Sequence, residues 1–332
     1  MSRFPMPMNP NGWFQVGLSR DLAIGEVKTL RYFGRDLVLY RTEGGAARMM
    51  DAKCPHLGAH LGLGEVKGEG IECVMHRWVL DGQSGRPTHI PHAKRIPPKA
   101  KATCWPVEER NGIIFVWYHA EGAAPDWHIP EIEGVGLEGD ERWLPLRIQH
   151  YRIETHCQEI GENVLDAAHL LGVHHQLVPD DRTNSVEEKG HELHVFQHMK
   201  MGTGDLAGVE VPVTTRSVGP GVAILSVQVG IVNTLAFINQ TPVDDDVLDA
   251  WITFTLKRGD DPDMDKGIAD IYAGFLNEQY QQDIPVWNTK QYVHRPPLSD
   301  ADGPVGIWRK WYGQFYSRDW ETPYLETLAA SA

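Results

Sequence analysis

Cysteine is scarce in this chain: only Cys54, Cys73, Cys104 and Cys157 occur among 332 residues. Four cysteines in a chain of this length do not make the dense disulfide framework that stabilises small secreted domains. The composition is otherwise that of an ordinary globular protein with enough apolar residues to bury a core. Any special chemistry of the cysteines is therefore expected to involve a metal or redox group.

Positive charge is also in short supply. Lysine and arginine number 31 against 45 aspartates and glutamates, which gives a net charge of −14. Proteins that bind nucleic acid or anionic membranes neutralise phosphates with a positive surface. We therefore expect no nucleic-acid partner and no membrane-surface partner.

Long apolar runs are missing as well. Residues 217–243 carry no charge, but Pro220, Asn233 and other polar residues interrupt them, and the many β-branched residues favour buried strands over a membrane span. The first residues include two prolines and no apolar run typical of a secretory signal. We expect a protein without a membrane span that is located in the cytoplasm.

Turn residues divide the chain into two parts. From residue 12 to about 118, short apolar runs alternate with turn residues, which is typical of an all-β unit. Residues 122–141 are rich in glycine, proline and acids and have no periodic apolar pattern, as at a domain boundary. The sequence thus predicts an all-β domain over residues 1–121 and a second domain over residues 122–332.

The second part mixes both kinds of secondary structure. Its sequence predicts a strand near residues 146–155, a helical segment at about 157–170, long strands between 191 and 257, and a helix over about 263–287. Strands that follow one another without intervening helices favour an antiparallel sheet. The predicted fold class is therefore α+β.

The first candidate metal centre combines two short boxes. Cys54 and His56 form a C-x-H box, and Cys73 and His76 form a C-x-x-H box sixteen residues later. A Rieske [2Fe–2S] cluster needs two thiolates on one iron and two imidazoles on the other. A zinc site is the competing interpretation, but such sites usually pair their cysteines in one box and their histidines in the other. The mixed boxes favour the Rieske cluster.

The second candidate centre is N-x-x-D-x-x-H-x-x-x-x-H, formed by Asn163, Asp166, His169 and His174. Histidines five residues apart do not share a face of a regular helix, so they converge on one metal only if the helix ends or bends, and Gly172 offers such a break. Asp166 lies one turn before His169, where its carboxylate can orient a ligand imidazole.

A third ligand is expected to be a carboxylate, because two histidines and one acid leave open positions on Fe(II) for oxygen and substrate. Asp283 is the candidate, since it lies in a largely uncharged helical stretch. Glu278 is the alternative acid. His175 is the alternative to His174 if the spacing shifts by one residue.

These motifs together resemble the catalytic oxygenase subunits of Rieske non-haem iron oxygenases. The resemblance covers nearly the whole chain. It is strongest to the branch that contains 3-ketosteroid 9α-hydroxylase oxygenases and cholesterol 7-desaturases, and it rests on four segments: CPHLGAHLG, WPVEERNGIIFVWYHAEG, EIGENVLDAAHL and DGPVGIWRKWYGQFY.

The resemblance implies a helix-grip (START-like) catalytic domain with an apolar pocket, preceded by a Rieske domain. It also implies a homotrimer, in which Asp166 bridges the cluster of one chain and the iron of its neighbour, close to Asn163. The implied ligand sets are Cys54 and Cys73 on one cluster iron, His56 and His76 on the other, and His169, His174 and Asp283 on the mononuclear Fe(II).

Two positions depart from the family pattern. Val74 follows the second cysteine where proline is usual, and Arg77 follows His76 where glycine or aspartate is usual. These departures concern the geometry of the second loop around the cluster.

The implied activity is the use of O2 to hydroxylate or desaturate a hydrophobic, steroid-like substrate. Electrons are expected from a separate NAD(P)H-dependent flavin/iron–sulfur reductase or a ferredoxin, because the G-x-G-x-x-A match at residues 202–207 lacks the helix that a dinucleotide site needs. Two alternatives remain: a Rieske oxygenase with an aromatic substrate, through ring hydroxylation or O-demethylation, and a Rieske electron carrier without catalysis.

Overall fold

The computed structural model describes residues 3–137, 140–175, 177–179, 185–201, 208–299 and 302–331. The G-x-G-x-x-A stretch at residues 202–207 lies outside these ranges. Within them, no helix combines the length and the apolar character needed to span a membrane.

The N-terminal part is built of short antiparallel strands, as the sequence predicts. Its strands are β1 (Gly12–Leu18), β2 (Val27–Tyr32), β3 (Arg35–Arg41), β4 (Ala47–Asp51), β5 (Glu65–Lys67), β6 (Gly70–Glu72), β7 (Val79–Asp81), β8 (Pro87–His89), β9 (Cys104–Trp105), β10 (Val107–Arg110) and β11 (Ile113–Tyr118). They form three sheets with the orders β1-β11-β10, β2-β3-β4-β9 and β5-β6-β7-β8.

The C-terminal part is a long antiparallel sheet with helices, which confirms the predicted α+β class. The strands are β12 (Arg147–Ile153), β13 (Leu177–Pro179), β14 (Ser185–Lys189), β15 (Glu192–Met201), β16 (Glu210–Val218), β17 (Val222–Val229), β18 (Val232–Asp244) and β19 (Val247–Leu256). The helices are α1 (Cys157–Glu162), α2 (Ala167–His169), α3 (Pro262–Thr289), α4 (Val305–Tyr312) and α5 (Glu321–Ser331). The sheet order is β12-β19-β18-β17-β16-β15-β13, and β14 also pairs with β15.

Helix α3 packs against one face of this sheet, the arrangement expected of a helix-grip fold. The Asp261 carboxylate accepts hydrogen bonds from the first free N–H groups of the helix, and Pro262 starts it with a suitable φ. The helix continues past Pro285 to its end. Its buried residues, which include Leu276 and Trp287, join the apolar core formed with the inner side of the sheet.

The two parts share a core. Trp13 of β1 and Phe115 of β11 belong to the same buried cluster as Val222 of β17 and Phe237 of β18. The side chain of Gln15, also on β1, is fully buried against the large sheet. The predicted boundary between residues 121 and 122 stays a prediction, because apolar packing is continuous across it.

A buried charge cluster, formed by Glu159, Glu162, Lys290 and Arg309, joins three helices. Lys290 Nζ lies 3.0 Å from a carboxylate oxygen of Glu159 and 3.0 Å from one of Glu162, while the Arg309 guanidinium pairs with Glu162. Burial and the neighbouring Glu162 charge raise the pKa of Glu159. The cluster thus ties α1 to the end of α3 and to α4.

Replacing Gly161 in α1 with alanine is expected to lower the thermal stability. The added Cβ would overlap the indole ring of Trp308, which is fixed by a hydrogen bond to the Gln158 carbonyl. Overpacking of this kind typically costs about 1–3 kcal/mol. Differential scanning calorimetry should therefore show a lower melting temperature.

The matched control is Gly267→Ala in the second turn of α3, where an added Cβ meets nothing within 4 Å. Alanine in an open helical position should stabilise the protein by about 0.5–1 kcal/mol. A Gly161→Ala variant as stable as the wild type would contradict the packing described for α1.

Candidate active site and metal centres

The first candidate centre is built by two loops with the same backbone design. The N–H of Gly58 donates to the Cys54 carbonyl at 3.0 Å, and the N–H of Arg77 donates to the Cys73 carbonyl at 2.9 Å. Gly58 has φ +80° and Arg77 has φ +56°. Arg77 therefore takes the left-handed backbone conformation that glycine takes in the first loop, and the departure from the family pattern leaves the loop geometry intact at some cost in strain.

The four side chains form two pairs. The Cys54 and Cys73 thiols are buried, free of disulfides and close enough to hydrogen-bond. The rings of His56 and His76 lie 4.6 Å apart between centroids. Among the described residues these four do not supply three ligand atoms that converge within 4.8 Å, as ligands of a single zinc ion would. Separate sulfur and imidazole pairs fit the two irons of a Rieske cluster.

The surroundings of the pairs also fit a cluster. Burial raises the pKa of the Cys54 thiol, while the backbone N–H groups of His56 and Leu57 point to the sulfur and partly offset that effect. His56 Nδ1 is buried and has no hydrogen-bond partner in the described part of the chain, as expected of an atom that binds a metal. Trp78 stacks on the His56 ring at 4.3 Å, a contact that the motif spacing does not predict.

The second candidate centre depends on an unusual turn. Helix α2 ends at His169, and residues Leu170–His174 continue as a π-helical turn. Such a turn is wider than an α-helical one, which brings residues five apart to the same side. The sequence predicts a break of the helix at Gly172. In the structure the wider π-helical turn accommodates the five-residue spacing, and this turn ends at His175, which has φ +57°.

The π-helical turn brings His169 and His174 together with Asp283 of α3. The ligand atoms of the three residues lie within 4.8 Å of one another. His174 Nε2 lies 3.4 Å from an Asp283 carboxylate oxygen, and the two imidazole centroids are 5.3 Å apart. His174 and Asp283 are buried. Glu278 is exposed one turn earlier on α3 and is not part of this group.

Hydrogen bonds orient both histidines. His174 Nδ1 lies 2.8 Å from the side-chain oxygen of Gln282. Gln282 is adjacent to Asp283 in the chain, but the motif spacing does not predict this contact. Burial alone would lower the pKa of His174, but the bonds with Asp283 and Gln282 outweigh it and raise that pKa. The Nδ1 of His169 bonds to the backbone carbonyl of Asp166.

The contact of Asp166 with His169 therefore differs from the expected one. The sequence predicts that the Asp166 carboxylate makes the orienting bond. In the structure the main-chain oxygen makes it, because Asp166 directly precedes α2. The carboxylate is half-buried and has no hydrogen bond with any described residue.

The three side chains fit a divalent iron. With both Nδ1 atoms already hydrogen-bonded, each imidazole has its Nε2 left for a metal. Two neutral imidazoles and one carboxylate on one side leave coordination positions free for oxygen and substrate, which is the donor set of non-haem Fe(II) oxygenases.

A cavity of about 470 Å³ reaches this group. His169, His174 and Asp283 are among its lining residues. Most of the others are apolar and come from the inner side of the sheet and from α1 and α3, and they include Val213, Leu225, Val227, Phe275 and Leu276. A mainly apolar molecule of moderate size can therefore reach the metal position.

Comparison with known proteins agrees with this geometry. Residues 12–105 match the model of the Rieske [2Fe–2S] domain, and residues 116–316 match that of the 3-ketosteroid 9α-hydroxylase C-terminal domain. The chain belongs to the Rieske oxygenases of the 3-ketosteroid 9α-hydroxylase family. The alternative of an electron carrier without a catalytic domain is thereby excluded.

Relatives of this Rieske oxygenase cover nearly all of its chain. The oxygenase component of a 3-ketosteroid-9-alpha-monooxygenase from Rhodococcus rhodochrous is 33% identical over 324 residues, which cover 92% of this chain and 83% of the relative. The cholesterol 7-desaturase of Caenorhabditis elegans is 30% identical, with coverage of 94% and 78%.

Solved structures share the fold. Dicamba monooxygenase bound to dicamba superimposes with a TM-score of 0.72 at 20% identity, over 97% of this chain and 99% of that one. NdmA of Pseudomonas putida CBB5 with caffeine gives 0.73 at 21% identity, over 91% and 89%. At such low identity these likenesses concern the architecture.

Membership of the family confirms two predictions made from the sequence. The protein is an oxygenase enzyme, and its cofactors are a Rieske [2Fe–2S] cluster and a mononuclear iron. The Rhodococcus rhodochrous relative is named as an oxygenase component, which supports the expected need for a separate reductase.

Cys54→Ser is expected to abolish the visible spectrum of the Rieske cluster, because the cluster needs both thiolates on one iron. Cys104→Ser is the matched control: this half-buried thiol belongs to the same part of the chain but to neither ligand pair. Absorption spectra and iron counts of both variants provide the measurement. A normal Rieske spectrum in Cys54→Ser would contradict the assignment of the cluster ligands.

Asp283→Ala should retain the cluster but lose the mononuclear iron and turnover. Two histidines alone bind Fe(II) weakly, and the carboxylate also offsets part of the charge of the ion. Glu278→Ala, five residues earlier on α3, should retain all three irons per chain. Metal analysis together with the Rieske spectrum distinguishes the outcomes, and the opposite pattern would make Glu278 the ligand.

Proposed function

We propose that this oxygenase uses O2 and externally supplied electrons to hydroxylate or desaturate a hydrophobic, steroid-like substrate. The observation that carries the proposal is the apolar cavity of about 470 Å³ that reaches His169, His174 and Asp283. The names of the relatives support the same substrate class, since they act on 3-ketosteroids and on cholesterol.

The residues of the chain have distinct parts in this proposal. Cys54, Cys73, His56 and His76 would hold the cluster, and His169, His174 and Asp283 the mononuclear iron. When bound, the iron activates oxygen for attack on a C–H bond, and the cluster supplies an electron. Gln282 and the Asp166 carbonyl keep both imidazoles with Nε2 toward the metal position.

The cavity walls would orient the substrate and exclude water. Apolar side chains from β16, β17 and α3 offer no hydrogen bonds to solvent, so a bound apolar molecule displaces water at little cost. Asn163 also lines the cavity, on the same stretch of chain as the histidines. We assign it a role next to the reacting atoms.

Asp166 is proposed to couple two chains of a homotrimer. Its carboxylate has no hydrogen bond with the described residues of its own chain, and the ring of His76 is exposed at the cluster end. Around that histidine, Leu57, Val74 and Met75 are all more than half exposed, an apolar surface that a neighbouring chain would cover. The neighbour's cluster histidine would then donate to Asp166.

The electron donor is proposed to be an NAD(P)H-dependent flavin/iron–sulfur reductase or a ferredoxin. The net negative charge of the chain favours an electron donor whose docking surface is positively charged. The cytoplasmic location predicted from the sequence belongs to the same proposal.

A substrate panel tests the function. Purified enzyme with both metal centres is reduced chemically and exposed to O2 in the presence of 3-ketosteroids, cholesterol or substituted benzoic acids, and the products of one turnover are identified by mass spectrometry. We expect oxygenated or desaturated steroid products. Product from the benzoic acids alone would contradict the steroid-like substrate.

Asp166→Asn is expected to retain both metal centres and substrate binding while the reduced cluster is oxidised more slowly, by orders of magnitude, in a single turnover. The amide replaces one acceptor oxygen with a donor, so it no longer accepts a bond from the neighbour's imidazole in the same way. Asp260→Asn, at an exposed position, is the control. Stopped-flow absorbance of the cluster measures the rate, and an unchanged rate would contradict the coupling role.

A further inference from the structure

A glutamine lines the cavity from the inner face of strand β15. Along β15, the residues that face the core alternate with outward-facing ones, and Leu193, Val195, Gln197 and Met199 form the inward row. Three of these are apolar, as the inner face of a half-buried strand requires. Gln197 is the exception: it lines the cavity and is 7% exposed.

The amide of Gln197 has no hydrogen-bond partner among the described residues. Two other polar residues of the cavity wall do have partners: the Thr234 hydroxyl donates to the Val227 carbonyl at 3.3 Å, and the Gln240 amide donates to the Ile238 carbonyl at 3.2 Å. A buried amide without a hydrogen-bond partner costs free energy. A ligand with a polar group would offset this cost by forming a hydrogen bond with the amide.

The neighbours of Gln197 extend this polar part of the wall. On the adjacent strand β16, Thr215 and Ser217 also line the cavity and are at least nine-tenths buried, and the Ser217 hydroxyl has no hydrogen-bond partner among the described residues. Gln197 pairs across the strands with Val213, so Thr215 is its diagonal neighbour. Gln197 and Thr215 are therefore neighbours on the wall of the cavity that the sheet forms.

Gln197 lies near the segment of chain that carries His169 and His174. Leu170, next to His169, packs on Met199, Val211 and Val213, and Val213 is directly opposite Gln197. Ser217 is four residues farther along β16, which is about 13 Å of extended strand. Gln197 is thus at the part of the cavity nearer to Leu170, and Ser217 is farther along the same strand.

We propose that Gln197 determines substrate specificity by hydrogen-bonding an oxygen substituent of an otherwise apolar, steroid-like molecule. The amide offers both a donor and an acceptor, so it pairs with a ketone or with a hydroxyl group. A pocket built to pair with such a group discriminates against the analogue that lacks it, because the buried amide is then left unsatisfied. This inference rests on the proposed function and adds the chemical group that the site recognises.

The test compares ligands that differ by one oxygen. A 3,17-diketosteroid and its 3-deoxy and 17-deoxy analogues are titrated into the metal-loaded oxygenase without reductant, and Kd is measured by isothermal titration calorimetry. For the oxygen that contacts Gln197, the wild type should bind the diketone about tenfold more tightly than the deoxy analogue. In Gln197→Leu this ratio should fall to within about twofold of unity.

Two controls separate hydrogen bonding from changes of shape. Gln228→Leu makes the same substitution on the exposed face of the same sheet and should leave every Kd unchanged. Met199→Leu alters the same inward row without a polar group, and it should shift the affinity of all three steroids alike. Retained mononuclear iron and Rieske spectra show that the variants are folded.

The outcomes distinguish the inference from the function on which it rests. If the steroids bind and both discrimination ratios survive in Gln197→Leu, the role of Gln197 is wrong and the proposed function stands. If no steroid binds to the wild type, the proposed substrate class and the role of Gln197 are both wrong. If the discrimination ratio is lost in Gln197→Leu and kept in Gln228→Leu and Met199→Leu, the specificity role of Gln197 is established.

Discussion

The buried charge cluster between α1, α3 and α4 is the interaction on which the catalytic site depends. The two histidines follow α1 in the chain, whereas Asp283 comes from α3, in a distant part of the sequence. Lys290 lies two turns beyond Asp283 and is held between Glu159 and Glu162 of α1. Removing one member would leave its partners charged and buried, which is far costlier than losing an exposed ion pair. The cluster therefore fixes the spacing of the two helices and, with it, the separation of the metal ligands.

Stability and function make opposing demands on the interior behind this cluster. An apolar cavity deprives its lining residues of packing contacts, and such voids are costly in a protein core. Aromatic packing next to the cavity compensates on the side of α4, where Trp308, Trp311, Tyr312 and Phe315 are almost completely buried against one another. Long β-strands supply the other wall with a regular row of inward-facing side chains. A cavity that can hold a ligand therefore lies between the sheet and the helices.

Much of the architecture could be predicted from the sequence, because strand alternation and the rarity of cysteine make local patterns informative. The cluster boxes around Cys54 and Cys73 and the three residues His169, His174 and Asp283 were found by spacing and residue type, and the structure brings each set together. Local patterns do not show which strand lies next to which, so the unsatisfied amide of Gln197 could not be recognised. Nor does spacing distinguish a broken helix from a π-helical turn, since both place residues five apart on one side.

The packing of β1 and β11 against the large sheet has a mechanical consequence. Gln15 donates to the Thr253 hydroxyl and accepts from the amide of Asn239, and its backbone carbonyl accepts from Thr241. With these buried bonds and a common apolar core, no hinge separates the part that would carry the cluster from the part that would carry the iron. Within one chain the distance between the two redox centres is then a constant of the fold. Electron transfer would then be regulated between molecules, by the contacts between neighbouring chains and by the docking of the electron donor.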